Sequence, residues 1–222
     1  STLERERVRS VLGMHVSEQV MEHLLSGHVP GAVERRAITV CFTDIRDFTR
    51  LSESQSAEET VRLLNLYYGR MCEIVAEHGG LVNKFLGDGM LIVFGAPTHQ
   101  PDDARRALAA ARDMLAEADR MRERGEFPNL RIGVGLHRGE AVVGNVGGAQ
   151  RQEYTAIGDT VNTASRVQEL TKALGRSLLL TRECREAVGD SDFESLGTHS
   201  VKGRLQPLEL FSLPESAAQQ AA

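Results

Sequence analysis

Apolar positions recur along this chain with two different spacings, and the change from one to the other marks its elements. Residues 3–25 place Val8, Val11, Leu12, Val16, Val20, Leu24 and Leu25 among many charges, which is the stripe of an amphipathic helix interrupted near Gly13. A surface helix and a helix that contacts another domain or a second copy fit this stripe equally. Gly27 to Gly31 contains Pro30 and reads as a break, after which Ala37 to Phe42 is a continuous apolar, β-branched run suited to a buried strand. The boundary therefore falls near residue 34. A helical connecting segment is expected over 1–33, a main domain over 34–213, and a flexible Ala- and Gln-rich tail over 214–222.

Ser56 followed by Glu59 forms a capping box. Val61, Leu64, Tyr68, Met71 and Val75 then repeat at helical spacing until Gly79 and Gly80 end the helix. Leu81 to Phe85 and Met90 to Phe94 are short apolar stretches around Leu86-Gly87-Asp88-Gly89, a tight hairpin. A second helix is predicted over Asp102 to Arg124, with Ala107, Leu108, Ala111, Met114, Leu115 and Ala118 on its apolar face. Leu130, Ile132, Val134 and Leu136 then alternate as in a strand. The order β-α-β-β-α-β is that of an α+β, ferredoxin-like domain. A hairpin over Glu140 to Ile157, a helix over Asp159 to Thr171 and strands near Ser177 to Thr181 and Leu208 to Leu213 complete the chain.

Composition narrows the functional classes. With 222 residues, 41% hydrophobic and 26% charged, the chain can bury a sizeable core and is unlike a disordered one. Its net charge of −5 lacks the basic excess of nucleic-acid binders. Cys41, Cys72 and Cys184 form no CxxC pair and are odd in number, which argues against a disulfide framework or a thiolate zinc site and for a reducing, cytoplasmic setting. No apolar run approaches the ~20 residues that cross a bilayer, so no membrane contact is expected from these residues. The chain opens at Ser1 without an initiating Met, which leaves room for an upstream domain or membrane anchor.

Several polar residues stand where they could carry chemistry. Asp44 ends the first strand and Asp88 lies in the hairpin turn. If the strands neighbour each other, the two carboxylates can converge on hard divalent cations; capping and turn geometry, both common uses of Asp, explain the spacing more simply. Lys84 sits between apolar neighbours on a strand and must reach water, a carboxylate or a ligand. Asn162 and Arg166 stand at i and i+4 on one helix and share a face, which suits a ribose and a phosphate or plain solvent. The glycines from Gly133 to Gly148 match neither a dinucleotide fingerprint nor a P-loop, and tight hairpins account for them. His137 reads as a packed histidine.

Four stretches occur in order: CFTDIRDFT (41–49), VNKFLGDGMLIVFG (82–95), GVGLHRGEAVVGNVG (133–147) and EYTAIGDTVNTASRV (153–167). Together they resemble the catalytic domain of class III nucleotidyl cyclases over about residues 34–213. The resemblance implies a ferredoxin-like core related to polymerase palms and a head-to-tail dimer with active sites at its interface. It implies metal binding by Asp44, Asp88 and the backbone carbonyl of Ile45, with two Mg²⁺ or Mn²⁺ ions per site. Lys84 matches the purine-selecting lysine, and Thr155 occupies the place of its partner. The Lys and Thr combination resembles adenylyl cyclases of a largely bacterial type. Asn162 and Arg166 match the transition-state pair, and Lys202 matches the lysine that meets the terminal phosphates.

All of these positions are filled in one chain, so the resemblance implies a homodimer with two complete sites, acting on ATP to form cyclic AMP and pyrophosphate. A guanylyl cyclase and a catalytically inactive dimerisation or nucleotide-sensing module are the alternatives. The segment before residue 34 resembles the connector that couples an upstream sensory domain to such a core. Asp47 departs from the family, where many members carry Gly in the turn after the first metal ligand.

Overall fold

The computed structural model describes residues 17–26, 32–148, 150–189, 192–201 and 206–214. The first half of the N-terminal stripe, the break over 27–31, the tail beyond Pro214 and Lys202 lie outside the described residues. The elements are α1 (Glu18–Leu25), β1 (Val33–Ile45), α2 (Phe48–Glu53), α3 (Ala57–Glu77), β2 (Leu81–Leu86), β3 (Gly89–Phe94) and α4 (Asp103–Glu123). They continue as β4 (Ile132–Gly148), β5 (Arg151–Ile157), α5 (Asp159–Ala173), β6 (Leu178–Thr181), α6 (Arg182–Val188), β7 (Glu194–His199) and β8 (Leu208–Ser212). Among the described residues no helix is long and apolar enough to cross a membrane.

The sheet runs β2-β3-β1-β4-β6-β8-β7, with β5 paired to the far half of β4. Neighbours among its first four strands are antiparallel and give the α+β, ferredoxin-like order that the sequence predicts. Alternation along each strand sorts the core into two faces. Cys41 and Ile45, Met90, Ile92 and Phe94, and Ile132, Val134 and Leu136 meet α3 and α4. Ile38 and Val40, Leu91 and Val93, and Ala141 and Val143 face the other way, toward Ala164 of α5, Val20 of α1, and Tyr154 and Ala156 of β5.

Three sequence readings change here. The strand around Leu136 and the first arm of the later hairpin are one 17-residue strand, β4, paired with β1 over their whole common length. Gly139 sits within it as a ladder residue, so no turn separates the arms. In α3 the buried line is Thr60, Leu63, Tyr67, Met71 and Val75, while Val61 is 54% exposed. The stripe through Leu64 and Tyr68 is instead a flank that reaches the β2–β3 hairpin, where the Tyr68 and Phe85 rings lie 4.4 Å apart. Ser56 does cap α3, accepting from the Glu59 amide at 3.2 Å. The Glu59 carboxylate turns to Arg62 at 2.7 and 2.8 Å, so the reciprocal half of the box gives way to an ion pair. The short elements α2, α6 and β7 were not predicted.

Candidate active site

Asp44 lies one residue from the end of β1, and Asp88 occupies the turn that joins β2 to β3. Pairing of Thr43 with Met90 brings the turn alongside Asp44. Gly89 makes that approach possible, because a Cβ there would stand 2.6 Å from the Thr43 carbonyl oxygen. Tyr68 closes the turn from α3 by donating its hydroxyl to the Gly87 carbonyl. Burial, together with the neighbouring Asp88 carboxyl, pushes Asp44 up to about 7, against a smaller pull downward from Arg46 and Lys172. Two hard oxygen donors that repel each other when both ionise are suited to a divalent cation, which would relieve the repulsion. The Ile45 backbone, buried at the strand end, borders the same spot. Among the described residues no cluster of three or more His, Cys, Asp or Glu side chains gathers, so the carboxylate donor set here is this pair.

The purine-side candidates also come together. Lys84 on β2 reaches Glu153 of β5 at 3.4 Å, and Glu153 accepts in turn from Arg151 at 2.9 Å. Thr155, two residues along the same face of β5, is buried and donates its hydroxyl to the Asn83 side-chain oxygen at 3.0 Å. Strand residues next to a solvated Lys and Glu thus hold one buried hydroxyl.

Asn162 and Arg166 share the face of α5 turned from the sheet, opposite Thr160, Ala164, Val167 and Thr171, which are buried. They do not join the aspartates. Helix α5 runs down β4 with Thr160 over Gly139 and Thr171 over Gly133, and Gly133 is the register partner of Asp44. Six strand residues separate those two levels, about 20 Å. Asn162 therefore belongs to the far end, with Arg166 one helical turn nearer.

The glycines of this region correct their sequence reading. Gly133, Gly135 and Gly139 are mid-strand residues that let α5 lie against the sheet. A Cβ on Gly135 would stand 2.3 Å from the Gln168 backbone nitrogen. His137 is packed as expected, 5% exposed and 2.8 Å from the Thr181 hydroxyl.

Comparison with known proteins matches residues 32–214 to the family described as "Adenylate and Guanylate cyclase catalytic domain". The chain belongs to the class III nucleotidyl cyclases. It is 37% identical over 204 residues to "Adenylate cyclase 1" of Rhizobium meliloti, covering 88% of this chain and 30% of that protein. The chain thus spans about a third of the length of the curated relatives it matches. Among solved structures, the adenylyl cyclase CyaB from P. aeruginosa superposes with a TM-score of 0.77 at 32% identity, covering 85% of this chain and 98% of that one. The guanylyl cyclase Cya2 superposes at 0.72, also at 32% identity, covering 83% and 96%.

Within this cyclase domain the Asp47 departure has a local explanation. Asp47 adopts φ +55, a left-handed conformation that Gly takes freely and Asp tolerates better than most residues. Its carboxylate meets Lys172 of α5 at 3.0 Å. Arg46 beside it donates to the Thr171 hydroxyl at 2.8 Å and the Arg176 carbonyl at 3.1 Å. These contacts tie the loop after β1 to α5. Neither they nor the roles of Asn83 and Glu153 were singled out from the sequence. Glu153 could have been found, as a charge two positions before Thr155 on an alternating strand.

Proposed function

We propose that this chain is the catalytic domain of an adenylyl cyclase that converts ATP to 3′,5′-cyclic AMP and pyrophosphate, two copies pairing head to tail. The observation that carries this reading is the displacement of Asn162 along α5 from the Asp44 and Asp88 end of the same chain. Asp44 and Asp88 lie at one end of the sheet, and Asn162 lies nine helix residues, about 14 Å, along α5 from the Thr171 level beside it. A second copy in head-to-tail contact supplies each end with its complement. Phe85 and Leu86, exposed at 53% and 48% beside the Asp88 turn, give such a contact an apolar surface.

In this account Asp44, Asp88 and the Ile45 carbonyl hold the ions, and the partner contributes Lys84, Thr155, Asn162, Arg166 and Lys202. Two Mg²⁺ or Mn²⁺ ions, when bound, supply the positive charge that acidifies the ribose 3′ hydroxyl and neutralises the departing pyrophosphate. Asn162 orients the ribose so that its 3′ oxygen stands in line with the α-phosphorus. A bond forms between that oxygen and phosphorus while the bond from the α-phosphorus to the bridging oxygen breaks, and the hydroxyl proton leaves to solvent. Arg166 stabilises charge growing on the phosphoryl oxygens, and Lys202 meets the terminal phosphates. Lys84 donates to adenine N1, and Thr155 faces the 6-amino group.

A cytoplasmic setting is consistent with the three free thiols. Residues 1–33 serve as the connector to regulatory domains in the rest of a longer protein, and 34–213 as the catalytic unit. Turnover of ATP and, separately, GTP by the purified chain with Mg²⁺ or Mn²⁺ tests the reading. Cyclic AMP is expected, with specific activity rising with protein concentration. Cyclic GMP alone would make it a guanylyl cyclase, and nucleotide binding without turnover would make it a sensing module.

A further inference from the structure

Asn83 lies beside Lys84 on β2, and strict alternation would turn the two side chains to opposite faces of the sheet. The register prevents this. Val82 pairs with Ile92 and Lys84 with Leu91, so Asn83 is the extra residue of a β-bulge with no partner opposite it. Bulges re-aim side chains in this way. Asn83 and Lys84 consequently both reach β5, Lys84 to Glu153 and Asn83 to the two residues that follow.

The direction of each hydrogen bond can be read from what each atom is able to do. The Tyr154 carbonyl can only accept, so the Asn83 atom 2.6 Å from it is the amide nitrogen, Nδ2. That fixes the amide orientation and places Oδ1 toward Thr155. Oδ1 can only accept, so the Thr155 hydroxyl, at 3.0 Å, donates its single hydrogen there. Only lone pairs then remain on the Thr155 oxygen for any other group.

We infer that Asn83 is a positioning residue that sets purine preference by holding Thr155 as a hydrogen-bond acceptor. The inference rests on the placing of Lys84 and Thr155 in the purine subsite. Adenine offers an N–H at position 6, which an acceptor-only hydroxyl satisfies. Guanine offers O6, which meets the same lone pairs without a hydrogen between. A threonine alone would discriminate poorly, because its hydroxyl rotates to donate or accept. The neighbouring amide removes that freedom.

The test compares kcat/KM for ATP and GTP in the unaltered chain and in Asn83→Ala, Thr155→Val and the double variant, with melting temperatures as a folding control. Asn83→Ala is expected to lower the ATP to GTP ratio about tenfold, the worth of one well-placed hydrogen bond. Thr155→Val is expected to lower it as well, and the double variant no further than Thr155→Val alone. An unchanged ratio in Asn83→Ala beside a lowered one in Thr155→Val overturns the role of Asn83. So does a double variant whose loss is the product of the single ones, because Asn83 then acts independently of that hydroxyl. An unchanged ratio in Thr155→Val instead removes the purine-subsite assignment, and the inference with it.

If Asn83→Ala fails to fold, the unaltered chain still decides. N6-methyl-ATP and the triphosphate of 6-methoxypurine riboside have the same shape at position 6, one presenting N–H and the other a lone pair. The first is expected to be used at least about tenfold better. Equal use would mean that Thr155 supplies a hydrogen, contrary to the inference.

Discussion

Pairing of Thr43 with Met90 sets Asp44 beside Asp88, although one lies near the end of a strand and the other in a hairpin turn 44 residues later. Half-burial and mutual repulsion make the doubly ionised state costly, and Asp44 titrates near 7 instead of in the usual carboxylate range. A group whose folded pKa is raised loses stabilising power as pH climbs from its unfolded value, ~3.9, to its folded one. In chelator-treated protein, Asp44→Asn should therefore raise the melting temperature more at pH 8 than at pH 5. With solvent screening of this half-exposed group, the gain at pH 8 is about 1–2 kcal/mol. Equal gains at both pH values would contradict the coupling.

The same pair predicts a loss of function. Asp44→Ala should abolish cyclic nucleotide formation, at least about a hundredfold, if Asp44 holds catalytic metal. Full activity in this variant would remove the metal assignment.

Lys84 is braced by Glu153, itself shared with Arg151. Reversing the lysine's charge in Lys84→Glu should mainly weaken preference for ATP, read as a shift in the ATP to GTP ratio of kcat/KM with folding intact. A uniform fall in both activities would assign Lys84 a structural part instead.

Gly135 tests how α5 is seated. A methyl there meets the Gln168 backbone, which cannot rotate away as a side-chain end could. Gly135→Ala should destabilise the domain by about 2 kcal/mol or more, an overpacking cost at the upper part of the usual range. A chemical denaturation midpoint within error of the unaltered chain would contradict the close seating.

Much of this was legible from local chemistry. The strand at Ala37 to Phe42, the Gly87-Asp88 turn and the capped helix after Ser56 each follow from a few neighbouring residues, whereas the pairing of β1 with β3 that sets Asp44 beside Asp88 is a long-range contact. What escaped depends on contacts distant in sequence. Gly133, Gly135 and Gly139 look like turn residues until α5 is laid over them. Alternation puts Asn83 and Lys84 on opposite faces, and only the β2–β3 register reveals the bulge. The buried line of α3 runs through Leu63 and Tyr67 because the sheet, not the helix, chooses which of two adjacent apolar stripes to cover.

The most direct test of a site shared between two copies is complementation. Asp44→Ala and Arg166→Ala should each be inactive alone, one lacking the metal half and the other the phosphate half. Mixed under conditions where subunits exchange, they form heterodimers in which one of the two sites is intact, and cyclic AMP formation should return. If exchange is demonstrated by labelled subunits and no activity appears, the two half-sites do not complete each other across a dimer.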